Sequence, residues 1–348
     1  MNIKSVESIA RAVLYEGYML YPYRPSSVKN RQRFNFGVLY PKSYGEETGS
    51  DPSSLQTEVL VEGDSRAAFE VRLRFLKLVD RRLLKLAGID PAAVNMAETA
   101  LGSSFETCPG WQEATECEVV VPTSSLVALS STPLERKFAF PAQEDWEPVH
   151  DSQGRVVGMI IRKQELVQGK VEISAVTADD QLFKVRVQVK NLTPVEEPSS
   201  PTGRDFALMR SLVSAHAVLG AVDGHFLSLL EPPEGMADTA ACCENVGAWP
   251  VLAGDEGSRD TMLASPIILY DYPQIAPESP GDLFDGTEID EILALRILTL
   301  TDDEKDEIRN SDERARRILE RTESLPMEHL RKLHGTLREL RPLKEKRP

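Results

Sequence analysis

Residues 182–191 read LFKVRVQVKN, and apolar and polar side chains alternate from Phe183 to Lys190. The apolar members are Phe183, Val185, Val187 and Val189, and the polar members are Lys184, Arg186, Gln188 and Lys190. Because successive side chains of a β-strand point to opposite faces, the pattern predicts a strand with one buried face. The stretch therefore indicates a β-sheet, so we expect further strands in the sequence around it.

The same period of two residues extends upstream. The stretch FEVRLRF at 69–75 alternates in the same way, and shorter apolar runs recur between residues 57 and 194. The polar residues 178–181 predict a hairpin connection between two of these strands. We therefore predict an antiparallel, sandwich-like β domain at 57–194. The stretch LKLVDRRLLKL at 76–86 fits either a strand or a helix, and its pattern does not decide between them.

Helical patterns flank this β region. Residues 4–20 carry apolar side chains at helical spacing, and Pro22 ends that helix because proline has no amide donor. Near the other end of the chain, Thr301 and Glu304 have the spacing of a capping box, and Pro326 suits the first position of another helix. These features predict a helix at the start of the chain and helices at its end.

The region after residue 194 mixes both patterns. Residues 193–205, TPVEEPSSPTGRD, are rich in Pro, Ser and Glu and predict a linker. We expect helices at 206–219 and 236–245, and short buried strands at 249–254 and 265–273. The predicted class is therefore α+β, in three parts: an N-terminal helix and basic aromatic loop at 1–56, the antiparallel β domain at 57–194, and a mixed α/β region with an acidic loop and C-terminal helices at 195–348.

Composition limits the class of protein. The chain has 348 residues, 41% hydrophobic content and a formal net charge of −15. It contains no apolar run long enough to span a membrane, and Glu7, Arg11 and Glu16 interrupt any secretory signal. No pair of cysteines has the CxxC spacing of a zinc site, so we expect buried reduced thiols at Cys108, Cys117, Cys242 and Cys243. These features predict a cytoplasmic protein that does not bind membranes.

Charge is distributed unevenly along the sequence. Residues 1–42 carry seven cations against two acids, whereas residues 231–310 carry four cations against nineteen acids. Within the basic part, the stretch LYPYRPSSVKNRQRFNFGVLYP at 20–41 interleaves cations with aromatic rings. Its candidate partner-binding residues are Tyr21, Tyr23, Arg24, Lys29, Arg31, Arg33 and Phe34.

Three interpretations of this basic aromatic segment are open. Cations among rings suit single-stranded nucleic acid, but the acidic chain as a whole would repel a polyanion, so we expect no nucleic-acid binding. Tyr and Arg also dominate protein interfaces, which fits a protein partner. The segment can instead dock on its own chain. We expect this internal docking, with rings in a core and cations near residues 231–310.

Candidate catalytic and metal-binding residues are few. A possible acidic site comprises Asp271, Asp282, Asp285 and Glu288. The spacing of a calcium loop fails there, because alignment on Gly286 puts glycine and apolar residues at ligand positions. The sequence also lacks HExxH, GxSxG, GxGxxG and P-loop motifs. We therefore expect no metal, no cofactor and no catalytic residue, and a role at a helix N-terminus for the acids between residues 282 and 291.

Three long stretches resemble one bacterial protein family. They are LYEGYMLYPYRPSSVKNRQRFNFGVLYP at 14–41, ENVGAWPVLAGDEG at 244–257, and SRDTMLASPIILYDYPQIAPESPGDLFDGTEIDEILALRILTLTDDEK at 258–305. The family is associated with gene clusters of oxygen-tolerant, actinobacterial-type uptake nickel–iron hydrogenases. It has no established activity, so the resemblance transfers no catalytic residue to this sequence.

The resemblance implies a non-catalytic accessory, scaffold or chaperone protein in the assembly or maturation of such a hydrogenase. Its partner would be a protein, either a hydrogenase subunit or a maturation factor. The sequence has no His- and Cys-rich tract of the kind that stores nickel, which favours a scaffold over a metal donor. The alternative is a hydrolase or metal-dependent enzyme with a site near His225 and residues 271–291.

Overall fold

The structure is a computed structural model that describes most of the chain. The described residues are 3–86, 105–107, 111–195, 203–275, 283–284, 290–309 and 311–326. Helices and a large antiparallel sheet occur together in this part, so the predicted α+β class is confirmed. None of the helices described is both long and apolar enough to cross a membrane.

The described strands form one eleven-stranded sheet, and its strand pairs are antiparallel. The strands are β1 (Ser54–Leu86), β2 (Phe105–Thr107), β3 (Trp111–Ser125), β4 (Leu134–Phe140), β5 (Gln143–His150), β6 (Val156–Gln164), β7 (Val167–Asp179), β8 (Leu182–Asn191), β9 (Val213–Leu227), β10 (Trp249–Leu252) and β11 (Thr261–Ser265). The main path runs β10-β11-β9-β1-β8-β7-β4. Asp180 and Gln181 connect β7 to β8, which confirms the predicted hairpin.

Strand β1 organises the sheet. Residues 54–62 pair with β8, 60–76 with β9, and 68–81 with β3. The ambiguous stretch 76–86 belongs to the same strand and pairs with β6 from residue 80 onward, so it is not helical. Register shifts within the pairing of β1 mark bulges, which bend a strand.

The sheet folds back on itself. The ring centroid of Phe75 on β1 lies 5.9 Å from that of Phe138 and 5.5 Å from that of Phe140, both on β4. Strands β8 and β7 separate β1 from β4 along the sheet, and each step is about 4.8 Å wide. A flat sheet would therefore hold these rings too far apart. Two parts of the sheet pack face to face around the main core, in keeping with the predicted sandwich-like arrangement.

The helix predicted at 206–219 is wrong. Helix α4 spans only Arg204–Leu208, and β9 then begins at Val213 between β1 and β11. Residues 213–221 are all buried, because the strand is covered on both faces. Burial on both faces leaves no alternation of buried and exposed positions by which a strand could be told from a buried helix.

Contacts between Cα atoms group the chain into two compact units. Unit 1 contains Met1–Glu16 and Phe34–Gln274, and unit 2 contains Gly17–Arg33 and Ile275–Pro348. The predicted linker lies between β8 and β9, which both pair with β1 in unit 1. The division of the sequence at residues 56 and 194 stays a prediction.

Helix α1, Ile3–Tyr15, covers one face of the sheet in unit 1. Its apolar side packs in a cluster of Val6, Ala10, Val13, Val218, Val251, Ala253 and Leu263. The Tyr15 hydroxyl donates a 2.6 Å hydrogen bond to Glu116 on β3, and Arg74 of β1 lies 3.1 Å from Glu7. The shorter helices of this unit are α2 (Lys42–Thr48), α3 (Leu126–Ser131), α4 and α5 (Ala237–Ala241), of which α5 confirms a helix within 236–245.

The described part of unit 2 contains three α-helices, α6 (Asp290–Leu298), α7 (Asp302–Arg309) and α8 (Glu313–Glu323). The Thr301 amide donates to Oε2 of Glu304 at 2.9 Å, and the Glu304 amide donates to Oγ1 of Thr301 at 3.3 Å. This reciprocal pair confirms the predicted capping box. The helix predicted after Pro326 lies outside the described residues.

Candidate partner-binding surface

The basic aromatic segment is divided between the units, and its first part, residues 17–33, belongs to unit 2. Tyr23 is buried there, and its hydroxyl donates a 2.7 Å hydrogen bond to the carbonyl oxygen of Leu283. Tyr21 packs edge-on against Tyr23, and the guanidinium carbon of Arg296 lies 5.6 Å from the Tyr21 ring centroid. These two predicted partner-binding tyrosines therefore contribute to the packing of unit 2.

Arg24 joins the basic segment to the acidic helix α7. Its Nη1 atom lies 3.0 Å from a carboxylate oxygen of Glu304 and 3.9 Å from one of Glu307. The amide and the hydroxyl of Ser26 each donate a 2.9 Å hydrogen bond to Glu307. Both acids belong to the late acidic stretch, so the expected internal docking is confirmed for Arg24.

Arg33 is buried beside Tyr18 in the same unit. The Tyr18 hydroxyl donates a 2.9 Å hydrogen bond to Oδ2 of Asp312, and Nη1 of Arg33 donates a 3.2 Å bond to the Tyr18 carbonyl oxygen. Arg33 and Arg314 also lie 5.8 Å and 5.3 Å from the Tyr18 ring centroid. Burial raises the pKa of the Tyr18 hydroxyl, and the Asp312 carboxylate raises it further. Arg33 therefore has a structural role in the interior.

The remaining predicted partner-binding residues differ in position. Phe34 is buried in unit 1, and Nη2 of Arg204 donates a 3.0 Å hydrogen bond to its carbonyl oxygen. Lys29 is exposed at the start of the 3₁₀ helix Lys29–Gln32. Arg31 is in the same helix, but its side chain lies outside what the structure describes. Partner binding by the exposed part of this segment stays a prediction.

Of the possible acidic site, only Asp271 is among the described residues; Asp282, Asp285 and Glu288 lie outside them. Both carboxylate oxygens of Asp271 are engaged, one accepting a 2.5 Å hydrogen bond from Oγ of Ser228 and the other a 2.8 Å bond from the amide of Leu252. The Ser228 hydroxyl also accepts from the amides of Leu230 and Glu231. We call this arrangement the Asp271 clasp, because it ties three chain segments together.

His225 is the histidine of the alternative enzyme site, and His216 is the other histidine of strand β9. His225 is exposed on β9, opposite Glu62 of β1. His216 is fully buried earlier in β9, and its Nδ1 lies 2.9 Å from the carbonyl oxygen of Ser214. Burial lowers the pKa of His216 to about 4, so the ring is neutral at pH 7. Across the described ranges, no three His, Cys, Asp or Glu side chains form a group that could hold a metal ion.

A buried carboxylate that sequence reasoning missed is Glu58 of β1. It lies 2.6 Å from Nε of Arg186 and 3.4 Å from Nζ of Lys184, and it accepts a 2.8 Å hydrogen bond from the amide of Glu244. Burial alone would raise the pKa of Glu58, but these donors and cations hold it below its ordinary value. In the sequence, Lys184 and Arg186 mark the solvent side of β8. This pattern does not indicate that a buried acid on the neighbouring strand pairs with them.

The cysteines only partly follow the expected burial. Cys117 is buried and free, and burial raises its pKa to about 11. Cys242 is exposed and Cys243 is half-buried, so burial of both was a wrong expectation; Cys108 lies outside the described residues.

Lys77 of β1 is also buried, and its Nζ donates a 2.5 Å hydrogen bond to the carbonyl oxygen of Pro141. The Lys77 ammonium group is therefore hydrogen-bonded within unit 1.

The loop 266–272 is the most exposed apolar feature of unit 1 among the described residues. Ile268 is 76% exposed and Tyr270 is 85% exposed. The buried strand predicted at 265–273 is therefore wrong: β11 ends at Ser265, and Pro266 lacks the amide that a strand would need there. Proline next to an apolar run was the sequence signal for this loop.

Hydrogen bonds anchor this loop on both sides of its exposed residues. The Ser265 hydroxyl donates a 2.5 Å bond to the carbonyl oxygen of Ile267. On the other side, Asp271 closes the clasp, and the Tyr272 amide donates a 2.7 Å bond to the carbonyl oxygen of Leu252. The Tyr272 hydroxyl donates a further 3.0 Å bond to Ser258. Ile268 and Tyr270 are thus presented to solvent from a fixed backbone.

Two further exposed apolar side chains lie on segments held next to this loop. Leu230, 50% exposed, follows Ser228 of the clasp, and Trp249 is opposite Ser265 across β10 and β11. We call these four residues the apolar loop surface: Leu230, Trp249, Ile268 and Tyr270.

No family model matches the chain, and no curated protein matches its sequence. A function is therefore proposed from the geometry and from the resemblance of the longest motifs.

Proposed function

We propose that the chain is a non-catalytic accessory protein, a scaffold or chaperone, in the assembly or maturation of a nickel–iron hydrogenase. Its partner is a protein, either a hydrogenase subunit or a maturation factor. The observation that carries the binding role is the anchored loop 266–272, which holds Ile268 and Tyr270 in solvent. The hydrogenase assignment comes from the resemblance of residues 14–41 and 244–305.

The physical support for a binding role is the combination of exposure and anchoring. Tyrosine is enriched among the residues that dominate protein interfaces, and large exposed apolar side chains mark such surfaces. A loop whose backbone is already fixed loses little conformational freedom when a partner binds, so more of the contact free energy appears as affinity. The bonds of Asp271 and Tyr272 supply this fixation.

The proposed place of action is the cytoplasm. Cys117, Cys242 and Cys243 are free thiols, which suits a reducing compartment. The net charge of −15 disfavours nucleic acid, whose phosphates would be repelled at long range, and it disfavours an anionic membrane surface for the same reason. A protein partner is therefore the proposal that agrees best with the charge.

A gene deletion in the chain's own host tests this function. The deletion strain should lose activity of its nickel–iron hydrogenase, and the tagged chain supplied on a plasmid should restore that activity. Mass spectrometry of the tagged chain, purified from the complemented strain, should identify a hydrogenase subunit or maturation factor. A deletion strain with full hydrogenase activity, together with no hydrogenase-related protein in the purified material, would contradict the proposal.

A further inference from the structure

We infer that the apolar loop surface is the docking site for the protein partner and that the partner covers it with a basic surface. This inference rests on the proposed function, because it names the site and the chemistry of the partner assumed there. Leu230, Ile268 and Tyr270 supply the apolar centre. The Asp271 clasp holds the two loops that carry them, so the centre is preformed.

The chain segment that contains Ile268 and Tyr270 is strongly acidic in sequence. Residues 231–275 contain eight acids and a single cation, Arg259. Glu231 is exposed and directly follows Leu230, and its amide is part of the clasp. Opposite charges across an interface steer association and suppress wrong partners. A partner with Lys and Arg around an apolar pocket is therefore complementary to this site.

Other classes of occupant fit less well. A second copy of the chain, related by a two-fold axis, would bring the same acidic stretch against itself. Nucleic acid and anionic membranes carry the same sign of charge as residues 231–275 and would be repelled. A basic protein suits both the apolar centre and the acidic segment that carries it.

The edge of the sheet beside this loop cannot receive an added strand, so side chains must make the contact. Strand β10 is the last strand of the main path. Its residue Leu252 already gives its amide to Asp271 and accepts at its carbonyl oxygen from Tyr272. Two residues earlier, Pro250 has no amide to donate. Strand addition is thus blocked at both positions that would face a partner.

Photo-crosslinking in the living host tests the site directly. The change Tyr270→p-benzoylphenylalanine places a reactive ketone in the apolar loop surface, and Trp146→p-benzoylphenylalanine is the matched control on β5, where Trp146 is 45% exposed. We expect irradiation to join residue 270, and not residue 146, to one protein. Mass spectrometry should place the crosslink in a segment of that protein that is rich in Lys and Arg.

Two experiments test whether the partner surface is basic: reversal of an acidic residue on the chain, and a change in salt concentration. The change Glu231→Lys should reduce the crosslinking yield from residue 270, whereas Asp180→Lys, at an exposed acid in the hairpin between β7 and β8, should not. In vitro, raising NaCl from about 0.1 M to about 1 M shortens the Debye length from about 10 Å to about 3 Å and should weaken the isolated complex several-fold. Binding that is unchanged by salt and by Glu231→Lys would overturn the basic partner.

The outcomes separate this inference from the proposed function. If hydrogenase proteins still co-purify but residue 270 crosslinks to none of them, the inference is overturned and the proposed function stands. If residue 270 crosslinks to a basic protein unrelated to hydrogenase, the inference stands and the proposed function fails. A crosslink to a second copy of the chain, or to nucleic acid, contradicts the inference.

Discussion

The hydroxyl of Tyr18 donates a 2.9 Å hydrogen bond to Oδ2 of Asp312, although the two residues are 294 positions apart in the sequence. Both are buried, and both belong to unit 2. Asp312 also accepts a 2.6 Å bond from the amide of Arg314 and thereby caps helix α8. A residue from the start of the chain therefore stabilises the beginning of one of its last helices.

The change Tyr18→Phe should destabilise unit 2. It removes the donor to a buried carboxylate and keeps the ring, so we expect a cost of about 1–3 kcal/mol. Hydrogen exchange of the α8 amides, followed by mass spectrometry, should show the loss as faster exchange. The control Tyr270→Phe removes a hydroxyl from an exposed ring and should leave exchange in α8 unchanged. Equal exchange in both variants would contradict a role for the Tyr18 bond.

Two arginines of the basic segment should differ in their contribution to stability. Arg33→Met removes a buried guanidinium that donates to the Tyr18 carbonyl oxygen, and we expect a loss of about 1–3 kcal/mol. Arg24→Met breaks a partly exposed pair with Glu304, which should cost only about 0–1 kcal/mol. Urea denaturation of the two variants, followed by circular dichroism, measures the difference. A larger loss from Arg24→Met would show that burial is not the deciding factor.

The free energy of unfolding should decrease as the pH is lowered, because of His216. Burial lowers its folded-state pKa to about 4 from an ordinary value of 6.5, so the unfolded chain binds the proton more tightly. The contribution is complete above pH 6.5 and is lost as the pH falls from 6.5 to about 4, by about 3 kcal/mol in total. Melting temperatures measured across this range should show a shallower slope for His216→Gln than for the unmodified chain.

Arg74 provides a second test of this titration. Arg74, which lies opposite His216 on β1, also disfavours the protonated ring, so Arg74→Gln should make the slope shallower too. A slope that does not depend on His216 would assign the acid sensitivity to other groups, of which Glu58 is the most buried acid described.

The Asp271 clasp should be needed to hold the apolar loop surface in place. Asp271→Ala removes both acceptors, and we expect exchange of the Leu252 amide to become at least about fivefold faster, since one lost hydrogen bond is worth about 1 kcal/mol or more. The central strand β1 should keep its protection. Asp180→Ala, which removes an exposed acid from the hairpin, should change neither. Unaltered exchange at Leu252 would show that the clasp does not fix the loop.

The sequence was most informative where one face of an element is buried. The alternation at 183–190 predicts β8 because the polar residues of this range remain half-buried or exposed, and the spacing of Thr301 and Glu304 predicts a local bond pair that needs no distant partner. Both patterns are visible in a few neighbouring residues of the sequence.

The sequence was misleading where burial or pairing depends on distant residues. The run 213–221 is buried on both faces, so it has no period that identifies a strand. Arg24 and Arg33 look alike in the sequence, and only their distances to Glu304 and Tyr18 distinguish a surface pair from a buried one. The sequence likewise does not show the role of Asp271, because its hydrogen-bond partners come from two other segments.

The amount of hydrogenase protein that co-purifies with the chain tests the central claim most directly. The double variant Ile268→Ser with Tyr270→Ser removes the apolar centre of the docking site, and Val176→Ser on β7 is the matched control at an exposed apolar residue, 60% exposed. Quantitative mass spectrometry should show a loss of at least about tenfold in bound hydrogenase subunit or maturation factor for the double variant, the equivalent of about 1.4 kcal/mol. The control should retain full binding. Equal recovery from the double variant and the control, with both folded, would contradict the claim that this loop binds the partner.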